Sequence, residues 1–185
     1  MTRLLILLLI ALPIFAETDV RKELDEVARV ASVMLDGDIC QRILTPRSAE
    51  YLTKEDPRDR WAGSDNYDVD HEAFISTKKT LIRLSRLTAV RNDVNLWMPV
   101  PGAPDKVHIV IRNANEMSQF WPWGKLSQEM IPEMREVLTS GKRMTVTKKP
   151  GWISVLAPVS NSLGDIVGLV EVVSQNNPDS HENVK

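Results

Sequence analysis

The clearest pattern of hydrophobic and polar positions lies near the end of the chain, in two apolar runs of strand length. Trp152-Ile153-Ser154-Val155-Leu156-Ala157-Pro158-Val159 is followed by the polar turn Ser160-Asn161-Ser162-Leu163-Gly164-Asp165, and then by Ile166-Val167-Gly168-Leu169-Val170-Glu171-Val172-Val173-Ser174. Runs rich in Val and Ile on either side of a Gly-containing turn predict an antiparallel hairpin. Alternate side chains are apolar in both directions, with Ile153, Val155, Ala157 and Val159 on one side and Trp152, Leu156 and Pro158 on the other. A half-exposed antiparallel strand would show polar residues at every second position, so this hairpin is expected at a sheet centre covered on both faces.

Upstream, Val20, Leu24, Val27, Ala31 and Met34 recur at spacings of four, three, four and three, one stripe of an amphipathic helix between Asp19 and about Leu44. Gly37 between Asp36 and Asp38 weakens the pattern and leaves one long helix or two. The stripe can cover a sheet face or pair with its copy in a homodimer. Pro46 to Asn66 is polar and holds Pro46, Pro57 and Gly63, which predicts a loop with a helical turn near Ala49 to Leu52. A helix then starts near Asp68 or Asp70 and ends at about Leu87. Its early Asp68, Asp70 and Glu72 suit the N-terminal end of the helix dipole, and Arg83 and Arg86 the other end. Phe74, Ile75, Leu81, Ile82 and Leu84 define its apolar face, along which His71, Lys78 and Ser85 lie seven residues apart.

Next, Val94, Leu96, Met98 and Val100 alternate with Asn95, Trp97 and Pro99, and after a turn Val107, Ile109 and Ile111 alternate with His108, Val110 and Arg112. This predicts a second hairpin. Asn113 to Ser127 is irregular, and a short helix follows with Pro132 in its first turn and Gly141 just past its end. Met144 and Val146 then mark an edge-like strand. The order predicts an α+β fold: a five-stranded antiparallel sheet with a long N-terminal helix on one face and inserted helices on the other.

This order, and above all the pattern from Trp152 to Val159 followed by Gly164 to Val172, resembles extracytoplasmic PAS-like sensor domains of the single Cache type. The resemblance spans about Asp19 to Ser174. It implies a pocket between the sheet and the inserted helices that captures a small molecule, and a signal passed to a partner protein. The aromatic-and-Arg motif of amino-acid-binding members is not recognisable here, so the resemblance supplies no ligand-binding residue.

The first residues change the picture by adding a compartment. Met1-Thr2-Arg3, an uncharged run from Leu4 to Leu12, and Ala16 before Glu17 have the form of a secretory leader, shorter than the ~20 apolar residues of a membrane span. Residues 1–16 are therefore expected to be a signal peptide, 17–175 a single domain and 176–185 a polar tail, in a secreted or periplasmic protein. Cys40 is the only cysteine, so no internal disulfide forms and the core must supply the stability. Without the leader the chain carries 22 Lys and Arg against 25 Asp and Glu, which argues against nucleic-acid binding through a basic excess.

Candidate chemistry is sparse. Five tryptophans against two tyrosines and three phenylalanines is a skewed aromatic set. Indole faces can hold a flat ring or an organic cation, so Trp97, Trp121, Trp123 and Trp152 are expected near the pocket. Core filling accounts for any one of them as well. Trp121 and Trp123 stand out because their irregular segment does not need them for periodicity. His108 and Arg112, on one strand with Val110 between, are expected to share a face and converge on a carboxylate or phosphate. Solvent-facing surface residues would look the same. Lys78, with His71 and Ser85, is a second candidate anion site, against a lysine that merely snorkels.

The acids from Asp65 to Glu72 lack the Gly and distal Glu of a Ca²⁺ loop, and the Cys-x-x-Cys-His of c-type haem is absent. The chain has no Gly-x-Ser-x-Gly elbow, no phosphate loop and no His-Glu-x-x-His. No catalytic residue, metal or cofactor is assigned. The expected function is small-molecule sensing, with Trp97, His108, Arg112, Trp121, Trp123 and Lys78 as ligand-binding candidates. Two alternatives stand beside it: a small cone-shaped α+β isomerase or hydrolase using Asp70 and His71 as acid and base, and a ligand-free secreted interaction module.

Overall fold

The computed structural model describes residues 19–53, 68–121, 125 and 127–175. The leader, the tail and Trp123 lie outside the described residues, as does the polar segment 54–67. Helix α1 covers residues 19–34, and Leu24, Val27, Ala28 and Ala31 form its buried stripe. The stripe continues through Leu35 rather than Met34, which is exposed. A second helix, α2 (Gly37–Arg42), is separate because Asp36 adopts an extended conformation and its side chain accepts from the N–H groups of Asp38 and Ile39. An N-cap of this kind ends one helix and starts the next.

Helix α3 (Pro46–Thr53) occupies more of the loop than the expected single turn, and α4 (His71–Leu84) begins at Asp70, whose carboxylate accepts from Ala73 N–H. The buried face of α4 is Ala73, Thr77, Leu81 and Leu84, so the wheel is rotated from the expected one and Ile75 faces outward. Small side chains at positions 73 and 77 permit close approach, which an apolar count does not register.

Strands β1 (Asp93–Val100), β2 (Ala103–Ile111), β3 (Gln128–Glu129), β4 (Met144–Val146), β5 (Trp152–Ser160) and β6 (Ile166–Gln175) form one antiparallel sheet in the order β3-β2-β1-β6-β5-β4. Six strands replace the five expected. The addition, β3, is two polar residues long and too short to carry a period of two. Helix α5 (Pro132–Ser140) has Pro in its first turn and ends at Gly141 with φ 70°, a left-handed cap that glycine adopts readily.

The sheet is covered on both faces, as the apolar alternation of β5 and β6 requires. Leu24, Ala28, Ala31, Cys40, Leu81 and Leu84 from α1, α2 and α4 pack on Leu96, Ile111, Val155, Ala157, Val170 and Val172. On the other side Met134 and Val137 of α5, with Phe120 and Trp121, pack on Trp97, Ile109, Leu156 and Leu169. Thus α4 joins α1 on one face, and α5 is the only described helix inserted on the other, where several were expected. The Cys40 thiol is buried and pushed up to about 12, by loss of solvent first and by the Asp36 charge second, against a hydrogen bond with Thr77.

Among the described glycines, the closest approach of another backbone is at Gly37. A Cβ there would meet the Ser160 carbonyl and lie 2.7 Å from Asn161 N. Gly→Ala inside a helix ordinarily stabilises by about 0.5–1 kcal/mol. Here overpacking reverses the sign, and Gly37→Ala is expected to cost about 1–3 kcal/mol in urea denaturation. A Gly37→Ala protein as stable as wild type would show that α2 does not seat against the β5–β6 turn.

Candidate functional site

Three buried polar side chains on the α5 face of the sheet decide where the irregular segment after β2 lies. Asp93 and Asn95 follow the period of β1, and Glu171 on β6 stands directly opposite Asn95; all three are fully buried. Such groups need partners, and the segment supplies them. Asp93 accepts from Met117 N–H at 2.9 Å and from the Asn115 side chain at 2.8 Å. Asn95 accepts from Asn113 N–H at 3.0 Å and donates to the Met117 carbonyl at 2.7 Å.

Glu171 receives five donors. Trp97 Nε1–H at 3.1 Å, Ser118 Oγ at 2.7 Å and Asn95 Nδ2 at 3.4 Å reach Oε2, while Gln119 N–H at 3.0 Å and Ser154 Oγ at 2.8 Å reach Oε1. Burial pushes the Glu171 carboxyl above its usual range against the opposing pull of these donors. Ser118 Oγ in turn accepts from the N–H groups of Phe120 and Trp121, at 3.1 and 3.2 Å. The chain of contacts therefore runs from a buried acid to the backbone of Trp121.

Trp121 forms one wall of a cleft of about 370 Å³ at the β2 edge of the sheet. Its opposite wall is α4, with His71, Phe74 and Lys78, and Ile109 to Asn113 line its floor. The Arg112 guanidinium lies 4.1 Å from the centroid of the Trp121 ring, and Lys78 Nζ lies 5.6 Å from that of Phe74. Glu116 also lines the cleft and approaches Arg112 Nη1 at 3.6 Å. Two cations over aromatic faces, above an apolar floor, suit a small ligand with an anionic end and a flat apolar body.

Of the expected residues, Lys78, Arg112 and Trp121 meet in this cleft. Trp97 does not: it is core, and its indole N–H is committed to Glu171. Trp152 is half-buried beneath Lys149, whose Nζ lies 4.2 Å from the ring centroid. His108 does not share a face with Arg112. The β1–β2 register pairs Ile109 with Trp97 but Ile111 with Leu96, so Val110 is an extra residue, a β-bulge that reverses the alternation beyond it. His108 stays opposite Met98, fully buried, with both ring nitrogens lacking a hydrogen-bond partner and its pKa lowered to about 3 by burial. Ser85 lines a separate shallow depression beside Arg86 and Asn92, away from Lys78.

Asp70, of the Asp70 and His71 pair, has structural partners. Asp70 caps α4 and meets Arg42 at 3.2 Å, and those contacts, the Ala73 N–H foremost, hold its carboxyl below the usual range. Among the described residues no group of three His, Cys, Asp or Glu could hold a metal ion. Phe74 and Glu116 were not anticipated in the site. Nothing in the pattern of the chain distinguishes them, whereas a lone Glu amid the apolar residues of β6 does signal the buried network.

A scan against protein-family models finds no family that matches this chain, and a search of curated proteins finds no matching relative.

The Glu171 environment makes a signed prediction. A carboxyl whose folded pKa lies above the unfolded value of 4.5 contributes no penalty below that pH, and stability is lost as pH rises from 4.5 through the folded value. Glu171→Gln removes this titration. The stability of wild type minus that of Glu171→Gln, from urea melts between pH 4 and 7, is expected to fall with rising pH. A difference that grows with pH would mean that the five donors outweigh burial.

Proposed function

We propose that this chain is a secreted or periplasmic PAS-like sensor domain of the single Cache type. It takes a small carboxylate with an aromatic body in the cleft between α4 and Trp121 and signals through a partner protein. The observation that carries this reading is the convergence of Lys78, Arg112 and Trp121 on one cleft. A guanidinium stacked on an indole is already desolvated on one face, and a guanidinium can bind a carboxylate through two parallel N–H groups. Ile109, Val110 and Ile111 give the cleft an apolar stretch against which a flat body can lie.

The order of elements supports the same reading. Helix α1 lies against one face of an antiparallel sheet whose last hairpin is central, and α5 is inserted before β4 on the other face. At the end of α1, Val33 and Met34 are 75% and 61% exposed, an outward apolar contact for a partner.

Calorimetric titration tests the cleft with benzoate as the aromatic carboxylate, acetate lacking the ring and benzyl alcohol lacking the charge. Benzoate is expected to bind most tightly. Arg112→Gln and Trp121→Ala are each expected to weaken it by about tenfold, equivalent to ~1.4 kcal/mol. Lys78→Met is expected to have a smaller effect in the same direction. Benzoate affinity unchanged by both Arg112→Gln and Trp121→Ala, in proteins that melt normally, would rule the cleft out.

A further inference from the structure

The connection from α4 to β1, residues 85–92, contains no helix or strand and is nevertheless pinned at several points. Asn92, buried, donates both amide hydrogens, to the Ser85 carbonyl at 3.0 Å and the Val90 carbonyl at 2.8 Å. Ser174 of β6 donates to the Arg91 carbonyl at 2.8 Å. Thr88 accepts from Val90 N–H and donates to the Glu23 carboxylate of α1. Leu87, in the middle of this pinned loop, is 58% exposed. The ties on either side keep it from folding inward, so its apolar surface stays in water at a cost.

Cations flank that leucine. Arg83, Arg86 and Arg91 are exposed, and among the described residues none of the three meets a carboxylate. Arg86 and Arg91 line a depression of about 400 Å³ together with Thr88, Asn113 and Asn115. A helix C-terminus ordinarily repels an anion through its last carbonyls. Here they are occupied. Leu81 O accepts from Ser85 N–H and Asn113 Nδ2, Ile82 O from Ser85 Oγ, Arg83 O from Arg86 N–H, Leu84 O from Leu87 N–H and Ser85 O from Asn92. Of the neighbouring acids, Glu23 is held by Thr88, and Asp93 is buried under its contacts with Asn115 and Met117. A chain of formal charge −2 thus presents three unpaired guanidinium groups around one exposed leucine.

We infer that this loop docks on an anionic phospholipid surface, with headgroup phosphates on Arg83, Arg86 and Arg91 and Leu87 at the acyl boundary. Guanidinium groups match phosphate in charge and geometry. An exposed leucine between them gains only where an apolar layer lies just beneath the phosphates, which is the layering of a bilayer leaflet. A free phosphate would use the arginines and leave Leu87 in water. An acidic peptide would call for a groove, and the depression is shallow. Because the loop is held before contact, docking orders little that was free. The inference uses neither Lys78, Arg112 nor Trp121, so it stands or falls apart from the cleft.

Co-sedimentation of the exported chain with vesicles tests this. Wild type is expected to pellet with equimolar phosphatidylglycerol and phosphatidylcholine, to remain in solution with phosphatidylcholine alone, and to bind less in high salt. Arg86→Gln and Arg91→Gln should each weaken partitioning about fivefold, equivalent to ~1 kcal/mol per charge at an anionic surface. Arg47→Gln removes the same charge from α3 and should change nothing. Leu87→Ser should weaken vesicle binding with all three arginines in place. All four variants alter exposed side chains, and unchanged melting temperatures check that each is folded. Equal weakening by Arg47→Gln and Arg86→Gln would reduce the effect to net charge and overturn the site. Vesicle binding untouched by Leu87→Ser, or by the loop arginines, would overturn it too. Binding of inorganic phosphate or poly-glutamate without binding of vesicles would replace the lipid by a free anion or an acidic protein segment.

Discussion

The structure turns on a carboxylate placed where water cannot reach it. Glu171 sits in the middle of β6, one of the two central strands, and on a sheet face that α5 and the segment after β2 must close. Left bare, it would disfavour burying that face at all. Its five donors come from β1, β5 and the loop at Ser118 and Gln119, so satisfying one side chain brings three separate parts of the chain together. Such a network tolerates no partial version, because each missing donor leaves charge or a lone pair buried. Residues 113–121 are consequently held in place without helix or strand of their own.

The cleft inherits its shape from this arrangement. Trp121 is held through its backbone by Ser118, which is held by Glu171, and Arg112 reaches Trp121 because the bulge at Val110 reverses the alternation of β2. Without the extra residue, Arg112 would point toward the α1 and α4 side with His108. Placement of the site is therefore a property of sheet register and buried polar contacts, and the side chains lining it add the chemistry.

Much of the frame is visible in the order of residues, since periodicity directly reflects burial. The two hairpins and the cap at Gly141 follow from local rules whose partners lie within a few residues, while the pattern around Gly37 leaves one helix or two open and the Asp36 cap decides for two. The site is less visible because its determinants are not local. A bulge at Val110 has no composition of its own, and it alone separates His108 from Arg112. Trp97 carries the same indole as Trp121, and what distinguishes them is a glutamate 74 positions away that claims the Trp97 N–H. The face of α4 is misjudged for a related reason: Ala73 and Thr77 are buried for their small size, a criterion that hydrophobicity does not capture.

One consequence concerns the single thiol. Cys40 lies in α2 beneath α4 with its ionisation pushed up to about 12, so at neutral pH it is almost wholly the unreactive thiol form. A folded copy is thereby protected from mixed disulfides with other thiols. Any copy that loosens α2 from α4 exposes a sulfur that can be captured covalently and withdrawn from the functional pool. The protein thus carries, in one atom, a chemical record of whether its N-terminal helices have stayed closed.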